Sequence, residues 1–290
     1  MQQGSESATT PMNADPTTQG AGSVPIVRVE GNRATSRADW LAVEAPVEIR
    51  GGSGPPEERR ESQVTITMRT PGQDEELAAG FLFCEGLISN RDEVEGFDWP
   101  ADDIVVVHLA PGVVFDAARF ERSGFTTSSC GVCGKSALDL IPPPRTLANA
   151  GGEARVDPEI LRALPDSMRA AQANFERTGG LHAVALFREN GELLYLREDV
   201  GRHNALDKLA GRIVQDGVNV QDTVLLLSGR ASYELIQKAL VCRVPVVAAI
   251  GAPSSLAVRT AEAGGQTLVG FLKADGFNIY SGADRIRLVD

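Results

Sequence analysis

The sequence predicts an α/β fold, with a layered α/β/α part at the C-terminal end and a smaller α+β part before it. After residue 180, short apolar segments alternate with amphipathic segments, a pattern typical of a sheet covered by helices on both faces. The composition, 42% hydrophobic and 23% charged, is that of an ordinary globular protein. The length of 290 residues fits one large domain or two modest ones.

Composition divides the chain into three segments. Residues 1–23 are mostly Gln, Ser, Thr, Gly and Pro, so they can bury little apolar surface and are expected to form a disordered tail. Residues 141–152 are rich in Pro and Gly, which predicts a linker. The α+β part is therefore expected to span residues 24–150, and the α/β part residues 151–290.

The N-terminal part is predicted to contain two strands and a helix. Residues 63–69 alternate apolar and polar side chains, and residues 104–109 are mostly apolar, so both segments are predicted to be strands. Asp74 is expected to cap the helix between them. The apolar stripe of this helix consists of Leu77, Phe81, Cys84 and Ile88. The Gly- and Pro-rich residues 51–60 are predicted to be an exposed hairpin tip.

The C-terminal part is predicted to contain five strands and three helices. Asn190-Gly191 lies between two apolar segments and predicts a β-hairpin. The predicted strands cover residues 181–187, 193–196, 223–227, 244–250 and 267–272. One predicted helix begins near Asn204, and the other two cover residues 232–240 and 255–263.

Cys130 and Cys133 are the candidate catalytic residues. They belong to the motif Cys-Gly-Val-Cys-Gly at residues 130–134, so the two thiols can meet within one turn of a loop. The glycines leave the sulfur atoms uncrowded, and Lys135 favours the thiolate, which is the nucleophilic form. The polar residues 126–129 before the motif indicate an exposed loop.

Four interpretations of this motif compete. It could supply half of a zinc site, but the chain has no second Cys-x-x-Cys, and its three histidines show no ligand spacing. It could be a thioredoxin-like dithiol, although that motif usually opens a helix, or a pair of structural thiols. The interpretation we favour is a sulfur relay, in which a thiol is alternately persulfidated and discharged. Cys84 and Cys242, in contrast, lie in apolar segments and are expected to be inert core thiols.

The turn at residues 199–204 leads into a predicted helix, and a helix N-terminus with Arg202 beside it attracts anions. Three later turns, residues 228–232, 251–255 and 271–276, follow predicted strands. These three are candidates for binding a nucleotide-like ligand, because ligands of open α/β sheets gather beyond the carboxyl ends of the strands. In the last turn, Phe271 could stack on a base, Lys273 could contact phosphate, and Asp275 could accept from a guanine edge. Plain helix capping explains the first turn equally well.

Charge and targeting signals exclude several classes of function. The net charge of −11 argues against nucleic-acid binding. Residues 1–150 hold 12 basic and 22 acidic residues, and residues 151–290 hold 16 and 17, so an anionic ligand is expected in the second half. Apolar stretches are too short to span a membrane, and no secretion signal is recognisable. Four cysteines are too few for a disulfide scaffold. We expect a cytoplasmic protein that binds neither membranes nor nucleic acid.

Several long motifs occur together in one order. They are Arg-Thr-Pro-Gly at residues 69–72, Glu-Leu-Ala-Ala-Gly-Phe-Leu at 76–82, Ser-Cys-Gly-Val-Cys-Gly at 129–134, Asp-Val-Gly-Arg-His-Asn-Ala at 199–205 and Ser-Gly-Arg at 228–230. With these motifs the chain resembles the formate dehydrogenase accessory sulfurtransferase family, also called sulfur carrier proteins, over about residues 25–290.

The resemblance implies a sulfurtransferase. Members of the family take sulfur from a cysteine desulfurase as a cysteine persulfide. They pass it to the molybdenum or tungsten bis-(molybdopterin guanine dinucleotide) cofactor of formate dehydrogenase, which is a bound substrate. No tightly held metal of the protein's own is implied. In this sequence, Cys130 corresponds to the persulfide carrier and Cys133 to a helper or second carrier. The family's cofactor-binding loop corresponds to Phe271, Leu272, Lys273, Ala274, Asp275 and Gly276.

The resemblance also implies a cytidine-deaminase-like C-terminal part and a homodimer. The zinc signature of deaminases needs His-x-Glu followed by Pro-Cys-x-x-Cys. Here Ser129 precedes Cys130, and no Glu stands two positions after His182 or His203, which argues against deaminase chemistry. The alternative function is a non-catalytic chaperone that binds the molybdenum cofactor or the dehydrogenase.

Overall fold

The computed structural model describes residues 20–113, 150–152 and 154–288, in which helices and three β-sheets are formed. The strands are β1 (Ala21–Glu30), β2 (Arg33–Ala42), β3 (Ala45–Ser53), β4 (Arg60–Arg69), β5 (Val94–Ala101), β6 (Ile104–Leu109), β7 (His182–Arg188), β8 (Leu193–Asp199), β9 (Thr223–Leu227), β10 (Val246–Ala249), β11 (Thr267–Lys273) and β12 (Gly276–Ser281). The helices are α1 (Asp74–Cys84), α2 (Pro158–Ala171), α3 (Ala173–Thr178), α4 (Arg202–Asp216), α5 (Tyr233–Val241) and α6 (Ser255–Ala263).

β1 and β2 form an antiparallel hairpin that is separate from the two larger sheets. Its base is held against α3, where the Arg177 guanidinium lies 4.0 Å from the centroid of the Trp40 ring. Because β1 begins at Ala21, residues 21–23 belong to a strand and not to the predicted tail of residues 1–23. These residues are ordered by backbone pairing with β2, which their small, polar composition does not reveal. Residues 1–19 lie outside the described part of the chain.

The four-stranded sheet of the N-terminal part has the order β4-β3-β6-β5. β6 has the predicted bounds, and β4 begins three residues before the predicted strand at residues 63–69. The hairpin tip is shorter than predicted, because β3 continues to Ser53 and β4 starts at Arg60. The core of this sheet and of α1 contains Val47, Ile49, Val64, Leu77, Leu82, Ile88, Val105, Val107 and Leu109.

α1 is buried on two sides. Leu77 and Leu82 pack on the four-stranded sheet, whereas Cys84 joins the core of the C-terminal part. Asp74 does not cap this helix as predicted. Gln73, at φ 56°, occupies the N-cap position, and both Asp74 carboxylate oxygens accept from the Arg69 guanidinium at 2.9 Å. A bidentate Arg–carboxylate pair is stronger than a neutral capping bond, so the nearby end of β4 determines the position of this carboxylate.

The six-stranded sheet of the C-terminal part has the order β12-β11-β10-β9-β7-β8. β9, β10 and β11 are parallel, whereas β7, β8 and β12 run antiparallel to their neighbours. α4, α5 and α6 cover one face through a single apolar cluster, and α2 covers the other face. The C-terminal part therefore has helices on both faces of one sheet. Its likeness to cytidine deaminases stays a prediction.

Three elements of the C-terminal part were not predicted from the sequence: α2, α3 and β12. α2 contains Pro165 in its interior, a residue that normally argues against a helix. The predicted linker also differs from the structure where it can be followed. Ala150 is fully buried and its N–H donates to the Gly264 carbonyl at 2.9 Å. Residue 150 is therefore packed against the C-terminal part.

The two parts meet where α1 crosses α4 with their backbones in contact. A Cβ atom added to Gly80 would lie 1.8 Å from the Asp207 carbonyl oxygen, and one added to Gly211 would lie 1.9 Å from the Glu76 carbonyl oxygen. Glycine is therefore required at both positions. An ion pair between Glu76 and Arg197 also joins the two parts. Among the described helices, none has the length and apolar character needed to cross a membrane.

Candidate functional site

The candidate catalytic residues Cys130 and Cys133 lie in residues 114–149, outside the described part of the chain. Within the described residues, no group of three or more His, Cys, Asp or Glu side chains is placed to hold a metal ion. The other predicted part of the site, the turns of the C-terminal sheet, lies within the described residues.

The carboxyl edge of the six-stranded sheet, where β9, β10 and β11 end, brings three predicted turns together. The Gly251 N–H donates to the Gly229 carbonyl at 2.9 Å, and the Phe271 N–H donates to the Gly251 carbonyl at 3.0 Å. These bonds continue the ladder of the parallel strands beyond their ends. The turns at residues 228–232, 251–255 and 271–276 are therefore neighbours, as the alternation of strands and helices predicts.

The fourth predicted turn, residues 199–204, reaches the same edge by a different route. β7 runs antiparallel to β9, and β8 runs antiparallel to β7. Consequently β8 ends at the carboxyl edge, where Asp199 pairs with His182 at the start of β7. The segment after Asp199 leads directly into the first turn of α4.

Asp199 has a structural role in this turn. Its side chain is fully buried and lies 2.8 Å from the Lys208 ammonium, which is also fully buried. The Asp199 carboxylate accepts from the backbone N–H groups of Thr70 (3.0 Å) and Gly201 (2.8 Å), and Lys208 donates to the Thr70 carbonyl (2.8 Å). This network fixes the start of α4 to the end of β4. The sequence did not predict that Thr70 and Lys208 belong to this network. A lysine between the apolar residues Leu206 and Leu209 nevertheless indicates a buried charge.

Asn204 strengthens the same connection. Its side-chain amide donates to the Met68 carbonyl at 2.7 Å, and its side-chain oxygen accepts from the Thr67 hydroxyl at 3.2 Å. Residues 67 and 68 at the end of β4, and Thr70 just after it, therefore bind the turn at residues 199–204. The first turn of α4 is held rigidly at the carboxyl edge.

His203, the second residue of α4, is buried and faces α5. Its Nε2 lies 3.2 Å from a Glu234 carboxylate oxygen, which also accepts from the Ser232 hydroxyl at 3.2 Å. The Nδ1 atom of His203 is buried and has no hydrogen-bond partner within the described residues. Buried polar atoms are normally satisfied, so this nitrogen is an exception among the described residues.

His182 lies in an environment that disfavours its positive charge. Burial lowers the pKa of His182, and the nearby positive charges of Arg202 and His203 lower it further, whereas Asp199 has the opposite effect. The imidazole is adjacent to Gly229, since a Cβ atom on that glycine would lie 3.6 Å from its Nδ1. His182 also lies beside the end of β8, which comes three residues before the start of α4 at Arg202.

The predicted cofactor-binding loop is a β-hairpin. Phe271, Leu272 and Lys273 are the last residues of β11, Ala274 and Asp275 form the turn, and Gly276 begins β12. Phe271, Lys273, Ala274 and Asp275 are exposed. The Leu272 side chain is 1% exposed and belongs to the core on the α2 face. Of the six predicted residues, Leu272 therefore does not present its side chain to a ligand.

A pocket of about 530 Å³ opens at the carboxyl edge on the α2 face of the sheet. Its size is that of a typical small-molecule site. It is lined by Pro165, Met168, Arg169, Gln172, Phe175, Gly179, Gly180, Leu181, His182, Ser228 and Ile250. The Arg169 guanidinium lies 4.0 Å from the Phe175 ring centroid. Sequence analysis missed this pocket, because the helices α2 and α3 that form one wall were not predicted.

Three cationic side chains at the carboxyl edge are available for a ligand. Arg202, Arg230 and Lys273 each belong to a different turn, and none forms an ion pair with another residue of the described ranges. Arg230 and Lys273 are exposed, and Arg202 is half-buried. Anions are expected to be attracted to this edge.

Cys84 and Cys242 are buried core residues, as predicted, with exposures of 7% and 6%. The neighbouring Cys242 thiol and burial raise the pKa of Cys84 well above its ordinary value. A buried thiol that is held protonated is a poor nucleophile. Neither residue belongs to the edge site.

Sequence comparison finds relatives across most of the chain. The protein is 48% identical over 274 residues to the sulfur carrier protein FdhD of Streptomyces avermitilis, which covers 91% of this chain and 94% of that protein. It is 46% identical to the Mycobacterium tuberculosis protein of the same name, covering 90% and 96%. The identity to the Saccharolobus solfataricus protein of this name is 38%, again covering 90% and 96%.

The fold also has a solved counterpart. A crystal structure of a formate dehydrogenase accessory protein from Desulfotalea psychrophila superposes with a TM-score of 0.70 at 20% identity, covering 92% of this chain and 99% of that chain. The family model FdhD-NarQ, described as the FdhD/NarQ family, matches residues 43–287. The four-stranded sheet, α1 and the whole six-stranded sheet lie within this match, and the chain belongs to the FdhD/NarQ family.

Proposed function

We propose that this protein is a sulfurtransferase that carries sulfur for formate dehydrogenase. The observation that carries the proposal is its membership of the family whose quoted curated relatives are named sulfur carrier protein FdhD. The Cys-Gly-Val-Cys motif at residues 130–133 supplies the thiols that such a role requires. A cytoplasmic location suits this chemistry, because thiols stay reduced there.

Sulfur loading follows the rules of thiol–disulfide exchange. The Cys130 thiolate attacks the outer sulfur of a persulfide on a cysteine desulfurase. A new S–S bond forms at Cys130, the S–S bond of the desulfurase persulfide breaks, and the desulfurase cysteine leaves as a thiolate. Cys130 then holds the transferable sulfur as a persulfide.

Sulfur delivery gives Cys133 a role as the helper thiol. When the Cys133 thiolate attacks the inner sulfur of the Cys130 persulfide, a Cys130–Cys133 disulfide forms and the outer sulfur leaves as sulfide. The two cysteines supply the two electrons that this release requires. A thiol reductant then restores both thiols. The acceptor is the metal of the bis-(molybdopterin guanine dinucleotide) cofactor, molybdenum or tungsten, bound as substrate.

The carboxyl edge is the proposed binding surface for that substrate. Its guanine dinucleotide arms are anionic, and the edge offers the unpaired cations Arg202, Arg230 and Lys273 beside a pocket of about 530 Å³. Phe271 is 44% exposed and can stack on a base. Asp275 is exposed in the turn between β11 and β12 and can accept from a guanine edge. The cofactor has two such arms, and a homodimer would provide one edge for each.

Mass spectrometry after incubation with a cysteine desulfurase and cysteine tests the proposal. Wild-type protein is expected to gain the mass of one sulfur atom on a peptide containing Cys130, and reductant is expected to remove it. Cys130→Ala is expected to abolish this gain and the maturation of active formate dehydrogenase. Cys242→Ala is the matched control and is expected to retain both. Full maturation activity in Cys130→Ala would contradict the carrier role.

A non-catalytic chaperone is the second candidate function. The observation in its favour is that the described residues of the cationic edge and of the pocket all lie outside the cysteine motif. A chaperone needs this edge but not the thiols. The Cys130→Ala/Cys133→Ala double variant separates the two functions: a chaperone retains maturation of formate dehydrogenase, whereas a sulfurtransferase loses it.

A further inference from the structure

Two buried cysteines lie where the N-terminal part of the protein meets the C-terminal part. Cys84 is the last residue of α1, and Cys242 is the C-cap residue of α5. Both belong to the apolar core between the six-stranded sheet and the helices α4, α5 and α6. The two residues are far apart in the sequence, and each comes from a different part of the protein. The proposed sulfur transfer uses neither of them.

The packing of α1 against α5 brings the two cysteines together. The Lys238 ammonium lies 5.4 Å from the centroid of the Phe81 ring. Cys84 follows Phe81 by three positions and Cys242 follows Lys238 by four, so each cysteine lies one turn further along the face of its helix that makes this contact. The Cys242 N–H donates to the Lys238 carbonyl at 3.0 Å, which keeps α5 helical up to this cysteine. The two thiols are consequently neighbours.

The charges around the two thiols keep them uncharged. The neighbouring Cys242 thiol and burial raise the pKa of Cys84 well above its ordinary value, and Lys238 opposes this shift. The Lys238 ammonium is already bound to both carboxylate oxygens of Asp207, at 2.6 and 2.8 Å. Its charge is therefore largely offset and does little to stabilise a thiolate. In the reduced protein the pair is a buried dithiol.

Two adjacent thiols without further ligands have one reaction open to them as a pair. A structural metal site needs four ligands, and the described residues contain no cluster of three or more His, Cys, Asp or Glu side chains that includes these cysteines. Oxidation to a disulfide needs only the two sulfur atoms. The arrangement of Cys84 and Cys242 therefore favours redox chemistry over metal binding.

We propose that Cys84 and Cys242 are a redox modification site, at which hydrogen peroxide forms a disulfide between α1 and α5. One thiol takes an oxygen atom from the peroxide and becomes a sulfenic acid, and one water molecule leaves. The second thiol attacks the sulfenic sulfur, an S–S bond forms, and the sulfenic hydroxyl leaves with the thiol proton as a second water molecule. The two cysteines lose two electrons, which the peroxide takes up. A thiol reductant reverses the reaction.

The disulfide would link the two parts of the protein covalently, close to the crossing of α1 and α4 at Gly80 and Gly211. Both cysteines lie at the C-terminal ends of helices, where local opening costs least and admits a molecule as small as peroxide. Because the thiols are buried and Cys84 is held protonated, oxidation is expected to be slower than that of an exposed thiolate. The site therefore responds to sustained oxidation.

The Cys130→Ala/Cys133→Ala variant tests the site, because Cys84 and Cys242 are the two cysteines that it retains of the four in the chain. After treatment with hydrogen peroxide and unfolding, this variant is expected to show no free thiol. Mass spectrometry is expected to find a loss of two hydrogen atoms and a pair of peptides joined through Cys84 and Cys242. The oxidised variant is also expected to unfold at a higher urea concentration than the reduced variant, because the link restricts the unfolded chain.

Cys242→Ser in the same background is the matched control. It is expected to form no internal link and to show no such rise in the urea midpoint after peroxide treatment. A thiol reductant is expected to return the oxidised parent variant to the reduced midpoint. Circular dichroism checks that each variant is folded, and the joined peptides can also be sought in oxidised wild-type protein if a variant does not fold.

Two free thiols after the treatment would overturn the inference. Addition of oxygen atoms without a link between Cys84 and Cys242, or links between separate chains only, would overturn it as well, in the variant or in the wild type. The inference does not rest on the proposed sulfur transfer. Failure of that function is detected separately, because the persulfide test needs Cys130, which the variant used here lacks.

Discussion

The environment of His182 has a consequence for stability. Burial and the nearby charges of Arg202 and His203 lower the pKa of this histidine from 6.5, with Asp199 opposing them. The unfolded chain therefore binds a proton more readily than the folded protein at the same pH. Through linkage, the free energy of unfolding is expected to fall as pH decreases below about 6.5. Above that pH both states carry a neutral His182, so its contribution is constant.

Urea unfolding from pH 8 to pH 5 measures this dependence. His182→Gln removes the titrating group and is expected to flatten the loss of stability below about pH 6.5. The carboxylates of the protein are unchanged in the variant, so their contribution to the pH dependence cancels in the comparison. Parallel curves for wild type and variant would contradict the lowered pKa.

Single residues also show what sequence can reveal about a site. The burial of Cys84 and Cys242 was predictable, because each lies at an apolar position of a periodic segment. The roles of Thr70 and Lys208 were not predictable from the sequence. Thr70 binds Asp199, which is 129 residues away, and Lys208 binds Thr70, which is 138 residues away. These residues meet only in the folded protein. Asp199 was identified as part of a candidate ligand site, and its carboxylate instead holds the protein's own backbone.

At the scale of elements, strands buried on both faces were the most predictable. β6 and β9 have the predicted bounds, because each is a short apolar segment between turn residues. α2 was missed because Pro165 interrupts an otherwise helical pattern. β1 and β2 were missed although Val27 and Val29 alternate with charged residues in β1. Most side chains of the two strands are exposed, and both of these valines are 65% exposed. A strand is predicted most readily from an apolar face that packs against a core, and an exposed hairpin has little of its surface in such a core.

The crossing of α1 and α4 depends on the absence of a side chain at Gly80. Alanine favours a helix over glycine by about 1 kcal/mol, but a Cβ atom here would lie 1.8 Å from the Asp207 carbonyl oxygen. Backbone cannot yield as a flexible side chain can, so the two helices would have to move apart. We expect Gly80→Ala to lower the free energy of unfolding by about 1–3 kcal/mol or more.

Gly96→Ala in β5 is the matched control for this crossing. A Cβ atom at Gly96 would have no heavy atom within 4 Å, so the same substitution is expected to change stability by less than about 0.5 kcal/mol. Urea denaturation of the two variants gives the comparison. Equal stability of Gly80→Ala and wild type would show that the helices do not touch at this position.

At the scale of the whole molecule, the sequence predicted two parts, and the structure shows how they are joined. Motifs that are far apart in sequence, residues 69–72, 76–82 and 199–205, meet at this junction. The resemblance to a sulfur carrier family rested on these motifs, and membership of the FdhD/NarQ family is confirmed. The persulfide role of Cys130 stays a prediction, because residue 130 lies outside the described ranges.

The buried pair of Asp199 and Lys208 makes the junction dependent on charge. Both side chains are fully buried, and they share Thr70 of the N-terminal part as a partner. Removing one charge leaves the other buried and unpaired, which typically costs about 3–5 kcal/mol. Lys208→Met and Asp199→Asn are therefore each expected to lower the free energy of unfolding by this amount.

The double variant Asp199→Asn/Lys208→Met is expected to be more stable than the sum of the two single losses predicts. It contains no unpaired buried charge, and the Asn side-chain oxygen can still accept from the Thr70 N–H. A double-mutant cycle by urea denaturation measures this difference as a coupling energy. Losses that add to within about 0.5 kcal/mol would mean that the two charges do not act on each other. A coupling well above that value means that the charge pair itself holds α4 against the N-terminal part.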